Sequence, residues 1–193
     1  MPACHLYILP LLHEDIAKVG ISVDPLARVR AFSRRYYESF DLDRSLLLAF
    51  DSVAEARRRE TALHRALRVW RAPAPLTVPA LAGGGTEWYR GAWPQLQAEA
   101  AAGAAAGHQA WLPADDWWRA RLQAEEPRLY EWAEACLRDV PDDAPLPQTH
   151  WSRVVDVLDA WPALGLGVAH ALPEAMVTRY STHRTAWHLP LGG

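Results

Sequence analysis

Between Val53 and Trp70 the sequence reads as one amphipathic helix with a buried stripe of Val53, Ala56, position 60, Leu63, Leu67 and Trp70. Position 60 is a glutamate. An ionised carboxylate on an inward face is costly unless it is paired or holds a cation. Glu60 therefore calls for compensation, either an ion pair with Arg28 or Lys18 or a divalent cation. His64 follows one helical turn later on the same side, and its unperturbed pKa lies near neutrality. Arginines surround this face. Arg57, Arg58, Arg59, Arg65, Arg68 and Arg71 load the same segment, and Arg28, Arg30, Arg34 and Arg35 share a helix that begins near residue 25. Such side chains suit backbone phosphates, although arginine runs also serve as solvated faces with acidic neighbours.

The elements that must position these residues are short and well punctuated. His5 to Leu9, ending at Pro10, reads as a strand, Pro10 to Asp15 as a reversal, and Ile16 to Ile21 as its antiparallel partner. Alternation puts Lys18 and Gly20 on one face of that second strand and Val19 and Ile21 on the other. Asp24-Pro25 is a helix start, with Asp24 as N-cap and Pro25 in the first helical position. Leu26, Val29, Phe32 and Tyr36 form its buried stripe. Ser45 to Phe50 is a third strand, and Ser52 with Glu55 forms a capping box for the helix that carries Glu60. Ala72 to Gly85 is a Pro/Ala/Gly-rich loop, order resumes at Thr86-Glu87-Trp88-Tyr89, and an Ala-rich helix runs from Trp93 to Ala106.

A domain boundary is expected near 108, giving a first domain over 1–108 and an accessory module over 109–193. The module reads as helices: Ala114 to Asp139, split at Pro127, then Thr149 to Trp161, then Pro173 to Tyr180, with Thr185 to Leu189 as an edge strand. Residues 1–108 carry 13 Lys and Arg against 11 Asp and Glu, whereas 109–193 carry 7 against 12, so a mildly basic front precedes an acidic rear. Two distant cysteines exclude a disulfide framework and a thiolate zinc site. No apolar run is long enough to span a bilayer and no secretory leader is visible, so a soluble cytoplasmic protein without membrane contact is expected. Seven of the ten tryptophans follow residue 108, where a core, with one exposed patch for a partner, accounts for them.

The order of these elements, with His5-Leu6-Tyr7, Lys18-Val19-Gly20, Asp24-Pro25-Leu26-Ala27-Arg28, Glu60-Thr61-Ala62-Leu63-His64 and Thr86-Glu87-Trp88-Tyr89 placed along it, resembles the GIY-YIG nuclease superfamily. The match is nearest its phage-type branch (T5orf172/Mug113-like) and covers about 5–106. The resemblance implies an α+β fold, a small three-stranded antiparallel sheet flanked by helices, here followed by a mainly helical Trp-rich C-terminal module. It implies a divalent-metal-dependent endonuclease that hydrolyses DNA phosphodiester bonds, with double-stranded DNA as partner and one Mg²⁺ (or Mn²⁺) ion. By the same resemblance Tyr7 helps activate the water, Gly20 is the structural glycine of the second motif, Arg28 holds the scissile phosphate, and Glu60 is the metal ligand.

Two positions depart from the family pattern: His5 stands where the first-motif glycine is usual, and Lys18 where the second-motif tyrosine is. The chain also contains no asparagine, so the late asparagine of many members is missing. Lys18 and His64 join Tyr7, Arg28 and Glu60 as catalytic candidates, Lys18 by lowering the Tyr7 pKa or shuttling a proton and His64 by sharing proton transfer. Arg30, Arg34, Arg35 and Trp88 are substrate-binding candidates. Two other readings stand beside the nuclease. One is a non-catalytic nucleic-acid- or protein-binding module on the same fold; the other is an adaptor whose Trp-rich half is the interface. The acidic module itself suits a protein partner or self-association.

Overall fold

A computed structural model describes residues 4–76, 78–79, 85–138 and 148–187 of the chain. The chain divides into two compact units, Met1–Arg119 and Ala120–Gly193.

The first unit is built on strands β1 (Cys4–Pro10), β2 (Ile16–Ser22), β3 (Leu46–Phe50), β4 (Arg71–Ala72), β5 (Trp88–Arg90) and β6 (Ala110–Trp111), which form one sheet in the order β4-β5-β2-β1-β3-β6. Every neighbouring pair is antiparallel. The expected three-stranded sheet is therefore corrected to six strands. Its expected members, β2, β1 and β3, are the centre, and the three added strands have only two or three residues each. Segments that short show no alternation and become strands only because a neighbouring edge holds them, β5 on β2, β4 on β5 and β6 on β3.

The register of the β1–β2 hairpin sets Tyr7 opposite Gly20 and Leu9 opposite Lys18. One sheet face carries Leu6, Ile8, Ala17, Val19, Leu46, Leu48 and Phe50. Helices α3 (Val53–Ala66) and α4 (Trp93–Ala105) cover it through Ala56, Leu63, Leu96 and Ala100. The other face carries Tyr7, Lys18, Gly20 and Trp88 and meets α1 (Pro25–Phe32), the single turn α2 (Tyr36–Ser39) and Phe40.

Both long caps form as their sequences dictate. The Asp24 side chain accepts from the Ala27 amide with Pro25 in the first turn, and Ser52 accepts from the Glu55 amide. Helix α1 stops at Phe32, so Arg34 and Arg35 lie in the following turn and not on the helix with Arg28 and Arg30. Helix α3 likewise ends at Ala66, followed by a 3₁₀ turn over Arg68–Trp70, and Val53 at its start is exposed. Helix α5 (Asp115–Gln123) begins in the first unit. There the Trp118 Nε1 donates to Ser45 Oγ at 2.7 Å and the Ala114 amide donates to the Ser45 carbonyl at 2.8 Å.

The second unit is helical: α6 (Glu126–Leu137), α7 (Gln148–Leu158), the short α8 (Ala160–Ala163) and α9 (Glu174–Trp187). Pro127 opens α6, as a proline in a first turn can. Val154, Leu158, Trp161 and Met176 are buried, and the Tyr180 hydroxyl donates to Asp159 at 2.6 Å. Residues 185–187 belong to α9, so the edge strand expected from Thr185 is a helix as far as Trp187; 188 and 189 lie outside the described residues.

Candidate functional site

Tyr7 points from β1 across Gly20 of β2. A Cβ at Gly20 would lie 2.6 Å from the Tyr7 Cζ, so only glycine leaves room for the phenol. Arg28, one turn into capped α1, donates from Nε to the Tyr7 hydroxyl at 3.3 Å, and its guanidinium lies 4.4 Å from the Phe32 ring centroid. Burial pushes the Tyr7 pKa up to about 12; Arg28 opposes the shift, and the Glu87 and Glu60 carboxylates add to it. The phenol is therefore protonated at neutral pH. Its cation is Arg28. Lys18, expected to supply that charge, is committed elsewhere.

Lys18 is completely buried, and its ammonium donates to Glu87 Oε2 at 2.5 Å. It lies 5.5 Å from the Trp88 and 5.7 Å from the Phe32 ring centroids. Burial pulls its pKa down, and the bond to Glu87 and that carboxylate's charge oppose this. Trp88 is fully buried between Phe32 and Phe40. It walls in the Lys18 ammonium and presents no surface to a substrate, which corrects its expected substrate-binding role. Glu87 was not among the candidates. Its signal is indirect: a lysine on the inner side of a strand, alternating with Gly20, needs a carboxylate, and Glu87 precedes the residue paired with Lys18.

On α3, Glu60 is buried and accepts from Arg57 Nη1 through Oε2 at 2.8 Å. Its ion-pair partner is thus its own helix neighbour, neither Arg28 nor Lys18. Burial alone would raise the Glu60 pKa, but His64 and Arg57 together outweigh it and hold the carboxyl below its ordinary value. The other oxygen, Oε1, faces His64 Nε2 at 3.7 Å, too far for a hydrogen bond. His64 Nδ1 is engaged by the Tyr89 hydroxyl at 2.6 Å, whereas Nε2 is buried and has no hydrogen-bond partner. Burial raises the Tyr89 pKa, and the Arg71 guanidinium opposes the shift.

Glu60, His64 and Glu87 each offer one ligand atom, and these atoms lie within 4.8 Å of one another, the one such group among the described residues. Two carboxylates and an imidazole whose inner nitrogen lacks a partner fit a divalent cation. Of the expected catalytic residues, Tyr7 with Arg28 and Glu60 with His64 form two contact pairs. Tyr7 senses the charge of Glu60, and Glu87 touches both neighbourhoods through its charge and through Lys18. The other arginines are more ordinary. Arg35 forms an exposed bidentate pair with Glu38, Arg34 is exposed in its turn, and Arg59 pairs with Glu99 of α4 at 2.6 Å.

The T5orf172 domain model matches residues 5–102, about half of the chain, and spans the hairpin, both capped helices and β5. The chain belongs to the T5orf172 domain family, which is associated with GIY-YIG-like nucleases. No curated protein and no solved structure matches it. Among the described residues no helix is long and apolar enough to cross a membrane.

Proposed function

We propose that the chain is a divalent-metal-dependent endonuclease that hydrolyses DNA phosphodiester bonds at a GIY-YIG-like site of the phage-type branch. One observation supports the reading: a buried acid and an imidazole with an unpartnered nitrogen on α3, and a phenol on β1 bonded to an arginine on α1, come from three elements, and the Glu60 carboxylate contributes to the raised pKa of the phenol. A cation bound at Glu60, Mg²⁺ or Mn²⁺, would supply Lewis-acid neutralisation of the phosphorane and of the departing 3′ oxygen. Arg28 presents a planar guanidinium to a non-bridging phosphate oxygen. Tyr7, hydrogen-bonded to Arg28 and protonated at rest, would orient the attacking water, and positive charge gathered at a loaded site would lower its pKa. Lys18 holds Glu87 in place and stays out of solvent. Arg30 and Arg34 extend the basic surface along the substrate backbone.

The Arg57–Glu60 ion pair favours a second reading, a nucleic-acid-binding module that does not cut, because it compensates the buried acid without a cation. Plasmid nicking and linearisation with Mg²⁺ or Mn²⁺, beside Glu60→Ala and Tyr7→Phe, separates the two. The nuclease reading expects cleavage that chelator stops and that both variants lose by 100-fold or more. Retarded DNA mobility with no cleavage in either metal gives the second reading instead.

A further inference from the structure

Each of the three side chains at this site is already held by a neighbouring group. Glu60 is held through Oε2 by Arg57 at 2.8 Å and turns Oε1 toward His64. Glu87 gives one oxygen to Lys18 at 2.5 Å and keeps its second. His64 is fixed through Nδ1 by the Tyr89 hydroxyl at 2.6 Å, which leaves Nε2 buried and unpartnered. Outer partners of this kind, one for each ligand, orient ligands in metal sites and set the imidazole tautomer. In the tautomer that donates from Nδ1 to the phenol oxygen, the unpartnered Nε2, 3.7 Å from Glu60 Oε1, has its lone pair open to a cation.

We infer that Glu60, His64 and Glu87 form a mixed nitrogen–oxygen site that selects a first-row transition dication over Mg²⁺, with His64 as a ligand and not a proton carrier. This deepens the nuclease reading by naming the cation class of the same site. The selectivity follows from the donors. Mg²⁺ prefers all-oxygen, largely hydrated coordination, whereas imidazole nitrogen suits the transition metals, and Mn²⁺ accepts both kinds of donor. Tyr89 is then a positioning residue, acting on the cation through His64.

The test titrates the full chain with Mn²⁺, following free ion by electron paramagnetic resonance, with Mg²⁺ as competitor. Pulsed measurements on the bound ion report a coupled nitrogen. The expected result is Mn²⁺ binding at least ten-fold tighter than Mg²⁺, with a nitrogen coupling that His64→Gln removes. His64→Gln should weaken Mn²⁺ ten-fold or more and leave Mg²⁺ within two-fold, and Tyr89→Phe should weaken Mn²⁺ about ten-fold. Near-ultraviolet circular dichroism checks the fold of each variant; should His64→Gln unfold, the nitrogen coupling of the unaltered protein decides. Equal affinity for the two ions, or bound Mn²⁺ without a nitrogen signal, overturns the inference. The two readings fail separately. Mg²⁺-driven cleavage lost in Glu60→Ala but with no nitrogen coupling sinks only the ligand assignment, whereas a nitrogen-coupled ion without cleavage sinks only the nuclease.

Discussion

Tyr7 occupies space that any residue other than glycine at position 20 would need, so the two are one unit spread over two strands. Gly20→Ala is expected to cost about 1–3 kcal/mol, the usual range for overpacking, and to turn the phenol away from Arg28. Urea unfolding reads the first effect, and the tyrosine ultraviolet titration, moved from its raised midpoint, reads the second. His5, two residues before Tyr7, is buried, and burial lowers its pKa below the ordinary 6.5, with Ser22 and Asp24 opposing. A base whose folded pKa is depressed takes up its proton first in the unfolded chain. Stability is therefore complete above about pH 6.5 and is lost as pH falls toward the folded pKa. Replacing His5 with Phe should flatten the fall in urea midpoint between about pH 7 and pH 5; an unchanged slope would assign the acid sensitivity to other groups. As candidates Tyr7, Gly20 and Arg28 are legible in the sequence because each sits near a turn or cap, and Glu60 and His64 because they fall on the helical stripe that the Ser52 cap begins. Glu87 is not, since its placement depends on a pairing across 69 residues.

Local signals also explain which elements can be read ahead of the structure. The two capped helices and the hairpin carry their own boundaries in Asp24-Pro25, Ser52 and Pro10. Strands β4, β5 and β6 carry none, because two or three residues acquire strand geometry only from a neighbouring edge. Yet β5 carries the wall Trp88 and follows directly on Glu87, so the least legible element contributes to the candidate site. Removing the Ser52 cap with Ser52→Ala should destabilise the protein by about 1 kcal/mol. Metal affinity should stay within two-fold, since Glu60 lies two turns further on and is held by Arg57. The Lys18–Glu87 pair behaves differently. Lys18→Met strands a partly buried carboxylate and should cost about 3 kcal/mol, at the lower end for breaking a buried pair. Adding Glu87→Gln should recover most of that loss, and a double-mutant cycle on thermal midpoints measures the coupling. Full additivity would show that the pair contributes nothing.

At the scale of the molecule, the sheet of the first unit is finished by residues beyond 108. Strand β6 pairs with β3, and Trp118 and Ala114 satisfy both oxygens of Ser45. A change of composition near 108 marks the end of the Ala-rich helix, but the hydrogen bonds of the first unit reach to α5, which no local pattern announces. A fragment ending at 108 should therefore unfold at lower urea than one ending at 124, because it leaves the β3 edge and the buried Ser45 hydroxyl environment open. Equal midpoints would show that β6 and α5 are dispensable to the sheet.

The chain contains a single lysine, and it is Lys18, sealed beneath Trp88 and Phe32. Amine-directed reagents consequently find no side-chain target on the folded molecule. Acylation of that one position, counted by mass spectrometry, becomes a clock for how often the interior beside the carboxylates breathes. An ion that tightens the pocket should slow the clock, and a peptide mass shift of one acyl group identifies the event with no need for a site-specific probe.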